Sequence, residues 1–392
     1  MKRIVFTEEF CQPENLFPFT LTRQIQDLRV GLRTLREKWE DGLGLPSFDR
    51  DEGDYKDLDR AIDLSGHLGK DLVYLIHGNL IPNAQLIKAV KKLKAGDCLA
   101  IEGKGSLVYC IAANQVLEPH RIQVKRSVFF EGDVHEIRHP WDITRLNALA
   151  IIEDFEWLAA NRKRQKPDAS NRLVNPDLVF IEKGATVTHS ILNASEGPIY
   201  IEKNALVMEG CMLRGPVVIG AGATVKMGTR IYGATTIGPG CVAGGEIKNS
   251  VFFANSNKAH DGYVGDSVIG EWCNMGAGTS NSNLKNNASD IQLWTPGGPV
   301  NVGRKCGVMM GDYSRTAINT SINTGTVIGV CCNVFGQGLT PKYIPSFSWG
   351  CDGLERYRFD KALDDIANWK VLKRQEVTES EKFILKHIFD HH

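Results

Sequence analysis

From residue 201 to residue 237 an aliphatic side chain stands at every sixth position: Ile201, Val207, Leu213, Ile219, Val225, Ile231 and Ile237. An amphipathic helix repeats every 3.6 residues and a strand every 2, so neither produces this pattern. A period of six predicts a hexapeptide solenoid, a parallel β-helix. Each hexapeptide is one short strand and a turn, and three close a triangular coil. The aliphatic residue points into the prism, and Gly220, Ala221, Gly222, Gly238 and Gly240 turn corners. Stability comes from each coil burying its neighbour. After Ile237 the rule breaks, and it resumes only at Ile269 and Met275. The interruption is polar and carries His260, Tyr263, Asn274 and Asn283. A polar break in a strict repeat is where a site is expected.

The pattern extends both ways. The solenoid is expected to start near Asp177 with Ile181 and Val187 as first rungs, slip register over 189–198, run through Val302, Val308, Ile322, Ile328 and Val334, and end near Pro345. Ahead of it, strands are expected at 2–6, 70–77, 97–102 and 106–113. Helical spacing appears from Leu28 to Trp39, over 83–94 and over 143–163. Strands alternating with helices predict an α/β domain of Rossmann-like kind. Three parts result: 1–165, the solenoid at 177–347, and a helical tail at 352–392. Thr378 and Glu381 have capping-box spacing, and the tail is expected to cap the solenoid end.

Composition narrows the function. Lys+Arg and Asp+Glu both number 46, so net charge gives no support for nucleic-acid binding. No apolar run is long enough to span a membrane, and MKRIVFTEEF has acids where a signal peptide is apolar. A cytoplasmic setting is the expectation. The ten cysteines show no CxxC pair and are expected as reduced thiols, with Cys331 and Cys332 on opposite sides of a strand.

Within the polar break, His260 is the natural general base, although most lone histidines are surface residues. Asn283 could hold a substrate polar group or simply form a turn. Gly276-Ala277-Gly278-Thr279 could present backbone N–H groups to an oxyanion, although a corner needs small residues anyway. Lys248 could meet a phosphate as a point charge.

The run EIKNSVFFANSNKAHDGYVGDSVIGEWCNMGAGTSNSNLKNN resembles the acetyltransferase half of the bifunctional glucosamine-1-phosphate N-acetyltransferase / N-acetylglucosamine-1-phosphate uridyltransferase family. The resemblance implies a left-handed β-helix with a helical tail and N-acetylation of an amino-sugar 1-phosphate by acetyl-CoA. It gives His260 the place of the catalytic base, and Lys248, Tyr263 and Asn274 that of sugar-phosphate contacts. Asn283 takes the place that supports the reacting group, and Ala277 with Gly278 that of the acetyl-CoA contact. It also implies a homotrimer. The family pattern has one more residue between its lysine and histidine than KAH here.

The front part departs further. PFTLTRQIQDLRVGLRTLREKW and HPWDI resemble a divergent branch of the same family's nucleotidyltransferase domain, without the usual Gly-rich loop. By role, Arg23, Gly31 and Lys38 are the nucleotide-binding candidates there, although Arg23 and Lys38 read equally well as helix-surface charges, and Mg²⁺ and UTP are the expected ligands if that part is active. The strand-end aspartate expected to hold Mg²⁺ is replaced by Gly78-Asn79, and an amide is the weaker ligand, so the sequence leaves the metal ligands unknown. Two other readings stay open: a nucleotidyltransferase whose solenoid is an oligomerisation scaffold, and a non-enzymatic assembly protein.

Overall fold

The computed structural model describes residues 2–49, 71–103, 105–116 and 122–392. The chain divides into two compact units. One comprises Met1–Leu16, Arg23–Leu28 and Arg33–Arg138, and the other Phe17–Thr22, Arg29–Leu32 and His139–His392.

The first unit is a six-stranded mixed sheet in the spatial order Ser47–Asp49, Lys2–Thr7, Leu72–His77, Gly105–Ala112, Asp97–Ile101, Arg126–Phe129. The first three strands run parallel; Gly105–Ala112 is antiparallel to both neighbours. Alternation along the strands divides the core. Ile4, Phe6, Tyr74 and Ile76 pack with Trp39, Leu86 and Val90 of two helices, α1 (Leu35–Leu43) and α2 (Ala84–Lys91). Val5, Val73, Leu75 and Ile111 face the other way. The helical spacing read from Leu28 becomes a helix only at Leu35, where Thr34 and Glu37 close a capping box. Gly31, at φ +70°, stands before it in a conformation that ends regular structure. Lys70, the expected start of the strand at 70–77, lies outside the described residues.

The second unit is built on a three-faced parallel β-helix of the left-handed hexapeptide kind. Its first face carries Arg172–Val174, Ile191–Asn193, Met212–Arg214, Arg230–Tyr232, Glu246–Lys248 and Tyr263–Gly265. The second runs from Val179–Ile181 to Tyr343–Ile344, and the third from Thr186–Val187 to Ser348–Trp349. Register confirms the six-residue reading: Ile201 pairs with Ile219 and Ile219 with Ile237, while Leu213 pairs with Ile231. All seven aliphatics of the 201–237 series lie in one buried cluster. The first coil begins at Arg172, before the expected start. Val302 is not a rung. It belongs to an excursion whose strands Gln292–Leu293 and Val300–Asn301 form an antiparallel hairpin. Cys331 and Cys332 do not sit within a strand. They occupy the corner before Asn333–Val334, with Cys331 at φ +56°. All ten cysteines are free thiols.

The outward side of the second face is covered. Phe180, Tyr200 and Val218 pack with Leu32 and with Ile151, Phe155 and Leu158 of α3 (Pro140–Asn161). Asn147 of α3 accepts the Gly31 N–H (2.7 Å) and donates to Ala234 O (2.7 Å), and Thr236 donates to Gly31 O (3.0 Å). The tail forms α4 (Phe359–Leu372) and α5 (Glu379–His391), with the expected capping box at Thr378. It does not cap the end alone. It lies along a column of corners: Lys373 donates to Gly240 O and Asn255 O, Tyr313 donates to Glu381, and Phe389 meets Phe347 edge-on. Trp272 explains the course, because its ring offers a flat face to the ammonium groups of Lys370 and Lys373. Among the described residues, no helix is long and apolar enough to cross a membrane.

Candidate active site

On the first face the middle residue of each strand points inward: Ile231, Ile247 and Val264. The flanking residues therefore point outward in two columns. Arg230, Glu246 and Tyr263 form one, and Tyr232, Lys248 and Gly265 the other. Tyr232 donates to Glu246 (2.7 Å), Arg230 stands 3.7 Å from the same carboxylate, and the Lys248 ammonium lies 5.6 Å from the Tyr232 ring centre. One coil on, Asn283 donates to the Tyr263 oxygen (3.1 Å) and to Asp266, and Asn249 donates to the same carboxylate (2.6 Å). The bond to Glu246 and burial push the Tyr232 phenol up to about 12; burial and Asp266 do the same for Tyr263. Both remain hydroxyls at neutral pH.

Lys248, Tyr263 and Asn283 are thus brought onto one face. His260 is exposed on the corner leading into Tyr263. This corner packs between glycines. A Cβ on Gly244 would lie 2.5 Å from Ala259 O, and one on Gly262 2.1 Å from Thr279 O. Asp261 O accepts the Gly278 N–H (2.9 Å). Three of the four expected oxyanion donors are therefore engaged inside the solenoid, because Gly276 N–H goes to Thr316 O (3.1 Å) and Thr279 N–H to Gly276 O (3.1 Å). The Ala277 carbonyl accepts from Asn319 N–H (2.7 Å). Asn274 lies on the third face, paired in register with Asn257 and Arg315. It is not on the face of Lys248, Tyr263 and Asn283.

In the front part, Lys38 is buried in α1 and Arg23 is half-buried. Gly31 belongs to the other unit and is closed against α3, where a Cβ would lie 2.5 Å from Asp154 Oδ2 and 2.9 Å from Ala150 O. Its glycine serves that approach. Asn79 is buried at the strand end, and among the described residues no group of three His, Cys, Asp or Glu could hold a metal ion. The Asn79 amide is a weaker ligand for Mg²⁺ than the aspartate expected there. Sequence reasoning missed Arg230, Tyr232 and Asp266, which the register and hydrogen bonds bring beside Lys248, Tyr263 and Asn283. Only the recurrence of polar residues beside each inward rung signals the first two.

Residues 4–163 match the family model described as sugar nucleotidyl transferase. By fold, such a region is here joined to a left-handed β-helix. The chain is similar to the bifunctional sugar-1-phosphate nucleotidylyltransferase/acetyltransferase of Sulfurisphaera tokodaii, with 30% identity over 264 residues, 65% of this chain and 59% of that one. It is similar to the bifunctional protein GlmU of Methanocaldococcus jannaschii, 36% identical over 101 residues, 26% of this chain and 25% of that one. The GlmU of Methanococcus maripaludis is 40% identical over 84 residues, 21% and 20% of the two chains. The chain is similar to these bifunctional proteins over part of its length. It spans less than two thirds of their length. Among solved structures, an Arabidopsis UDP-N-acetylglucosamine acyltransferase aligns over 55% of this chain and 85% of its own at 13% identity, with a TM-score of 0.30.

Proposed function

We propose that the solenoid transfers the acetyl group of acetyl-CoA to the amine of an amino-sugar 1-phosphate, glucosamine 1-phosphate in the first instance. The observation that carries this reading is the polar array of Lys248, Tyr263, Asn283 and Asp266 on one open face, with His260 on the corner leading into it. Lys248 meets the phosphate as a cation. The amine nitrogen attacks the thioester carbonyl, His260 takes the amine proton, the C–S bond breaks, and the proton passes to the leaving thiolate. Ala277 and Gly278 line the acetyl-CoA side. Asn274, on the third face, fits this scheme in a homotrimer, where a neighbouring chain's first face meets it. The setting is cytoplasmic, and the product enters UDP-N-acetylglucosamine synthesis. Free-thiol release from acetyl-CoA and glucosamine 1-phosphate tests the reading. Wild type should release thiol, and His260→Ala should lose a hundredfold or more, the scale of general-base catalysis. No release with glucosamine or galactosamine 1-phosphate overturns it.

A second activity is favoured by the match over residues 4–163: UTP-dependent nucleotidyl transfer to the acetylated product. Pyrophosphate release with UTP and N-acetylglucosamine 1-phosphate, with and without Mg²⁺, tests it, and Lys38→Met should abolish the release. Activity here and none in the solenoid would make the β-helix a scaffold.

A further inference from the structure

Among the described residues the third face holds one inward residue that carries a charge. Its column reads Val187, Val207, Val225 and Ala243, then Lys258, and later Met275, Thr316 and Val334. Lys258 is fully buried, among the largest such side chains in the molecule. The coil is shortened here: Val225 pairs with Ala243, eighteen residues on, but Ala243 pairs with Lys258, only fifteen on. The small Ala243 above leaves room for the long stem. Among the described residues its ammonium makes no ion pair within salt-bridge distance and instead donates to two main-chain oxygens, His260 O and Asp261 O, the latter at 2.9 Å. Asp261 O also takes the Gly278 N–H, and the peptide from 259 to 262 is pressed against Gly244 and Gly245. Burial draws the Lys258 ammonium down to about 8.

A buried cation is costly, even with the Asp261 carboxylate favouring its charge, and an apolar residue would fill this rung as its neighbours do. The position gains something only at the outer end of the side chain, where the two carbonyls belong to the corner carrying His260. We propose that Lys258 is a positioning residue that fixes the His260 peptide, and with it the direction of the imidazole, from inside the solenoid. This rests on the acetyltransferase reading. The one-residue-shorter KAH spacing fits such a tether, because the lysine reaches the peptide of the histidine itself.

The test replaces Lys258 by Met, which keeps length and suits the apolar rung. Amide hydrogen exchange should quicken across 259–262 and stay unchanged in neighbouring coils. The melting temperature should not fall. The kcat of acetyl transfer should drop tenfold or more while KM for acetyl-CoA and for the amino-sugar phosphate stays within twofold. Lys258→Gln, a shorter side chain that still donates, should lie between, and serves as the comparison if Lys258→Met does not fold. Unchanged exchange overturns the inference whatever the activity, and so does faster exchange with unchanged kcat. A joint fall of kcat, substrate affinity and melting temperature also overturns it, as that marks a general packing role. A wild type that transfers no acetyl group sinks the proposed function instead, and exchange still decides whether the tether exists.

Discussion

The Tyr263 hydroxyl lies over Gly265: a methyl carbon built on that glycine would stand 2.2 Å from the phenol oxygen and 2.6 Å from Cζ. The two residues flank the inward Val264, so they share a face. The ring lies along its own strand and can do so only because its neighbour has no side chain. That placement brings the hydroxyl to Asn283. Gly265 is not among the residues at positive φ, so it serves space rather than backbone conformation.

Gly265→Ala is therefore expected to displace the ring without unfolding the coil, since the nearest obstacles all belong to the Tyr263 side chain. On the proposed reaction, KM for the sugar phosphate should rise tenfold or more. Tyr263→Phe, which loses one hydrogen bond and keeps the ring, should cost less, about 0.5–1.5 kcal/mol, or about two- to twelvefold. Steady-state kinetics on both variants reads the order, and a Phe variant worse than the Ala variant would contradict this geometry.

Asp266 joins two amides, Asn249 and Asn283, through one carboxylate that is 8% exposed. It stands at φ +50°, where Asn is at home. Asp266→Asn therefore keeps the backbone and turns one acceptor oxygen into a donor facing an amide N–H. A buried donor left without a partner costs about 1–3 kcal/mol. The expected result is a fall in kcat/KM of five- to a hundredfold, with a correctly folded solenoid by circular dichroism.

The prism was legible because its inward residues must be apolar and its period is unlike any other, as the run from Ile201 to Ile237 shows. Lys258 was hidden by the same logic. It is polar, so it reads as an interruption, and the three residues missing from its coil remove the period that would have marked it as inward. Tyr263 and Asn283 stood out as polar residues in the break, but their meeting depends on which columns the register aligns. The course of the tail was not readable, because its anchors carry no local signal: Tyr313 and Gly240 stand 68 and 133 residues from the tail residues they meet, and Trp272 is likewise remote. Gly31 looked like a phosphate-loop glycine; its close approach is to helix α3.

The tail should be acid-labile. Burial raises the Glu381 carboxyl, but its bonds to Lys370, to the Thr378 N–H and to Tyr313 outweigh this, and the net shift is downward. A carboxylate depressed in the folded state contributes stability above its unfolded value and loses it as pH falls through the folded one. Melting temperature should therefore drop as pH falls below about 4.5, the ordinary value. Exchange should open first in α4 and α5. Glu381→Gln should flatten that part of the slope, and Lys370→Ala at neutral pH should cost about 3 kcal/mol by leaving a half-buried carboxylate without its cation. Equal slopes in wild type and Glu381→Gln would place the acid sensitivity elsewhere.

Eight of the ten cysteines are buried, and only Cys11 and Cys351 are partly exposed. Thiolates are the reactive form. Burial pushes Cys11 up to about 12 and Cys98 to about 11, and Cys241, Cys306 and Cys332 also reach about 12. At pH 8 those five are almost wholly protonated, and the prism seals most of the others. The native protein is expected to react quickly with a chromogenic disulfide at one thiol, Cys351, and at all ten in denaturant. Cys351→Ser should remove the fast phase. That variant would also give the thiol-release assay a low background, so that the signal reports coenzyme A alone. Rapid reaction of three or more thiols in the native state would mean that the apolar prism opens to solvent, contrary to the packing of Cys211, Cys241, Cys273 and Cys332 within its core.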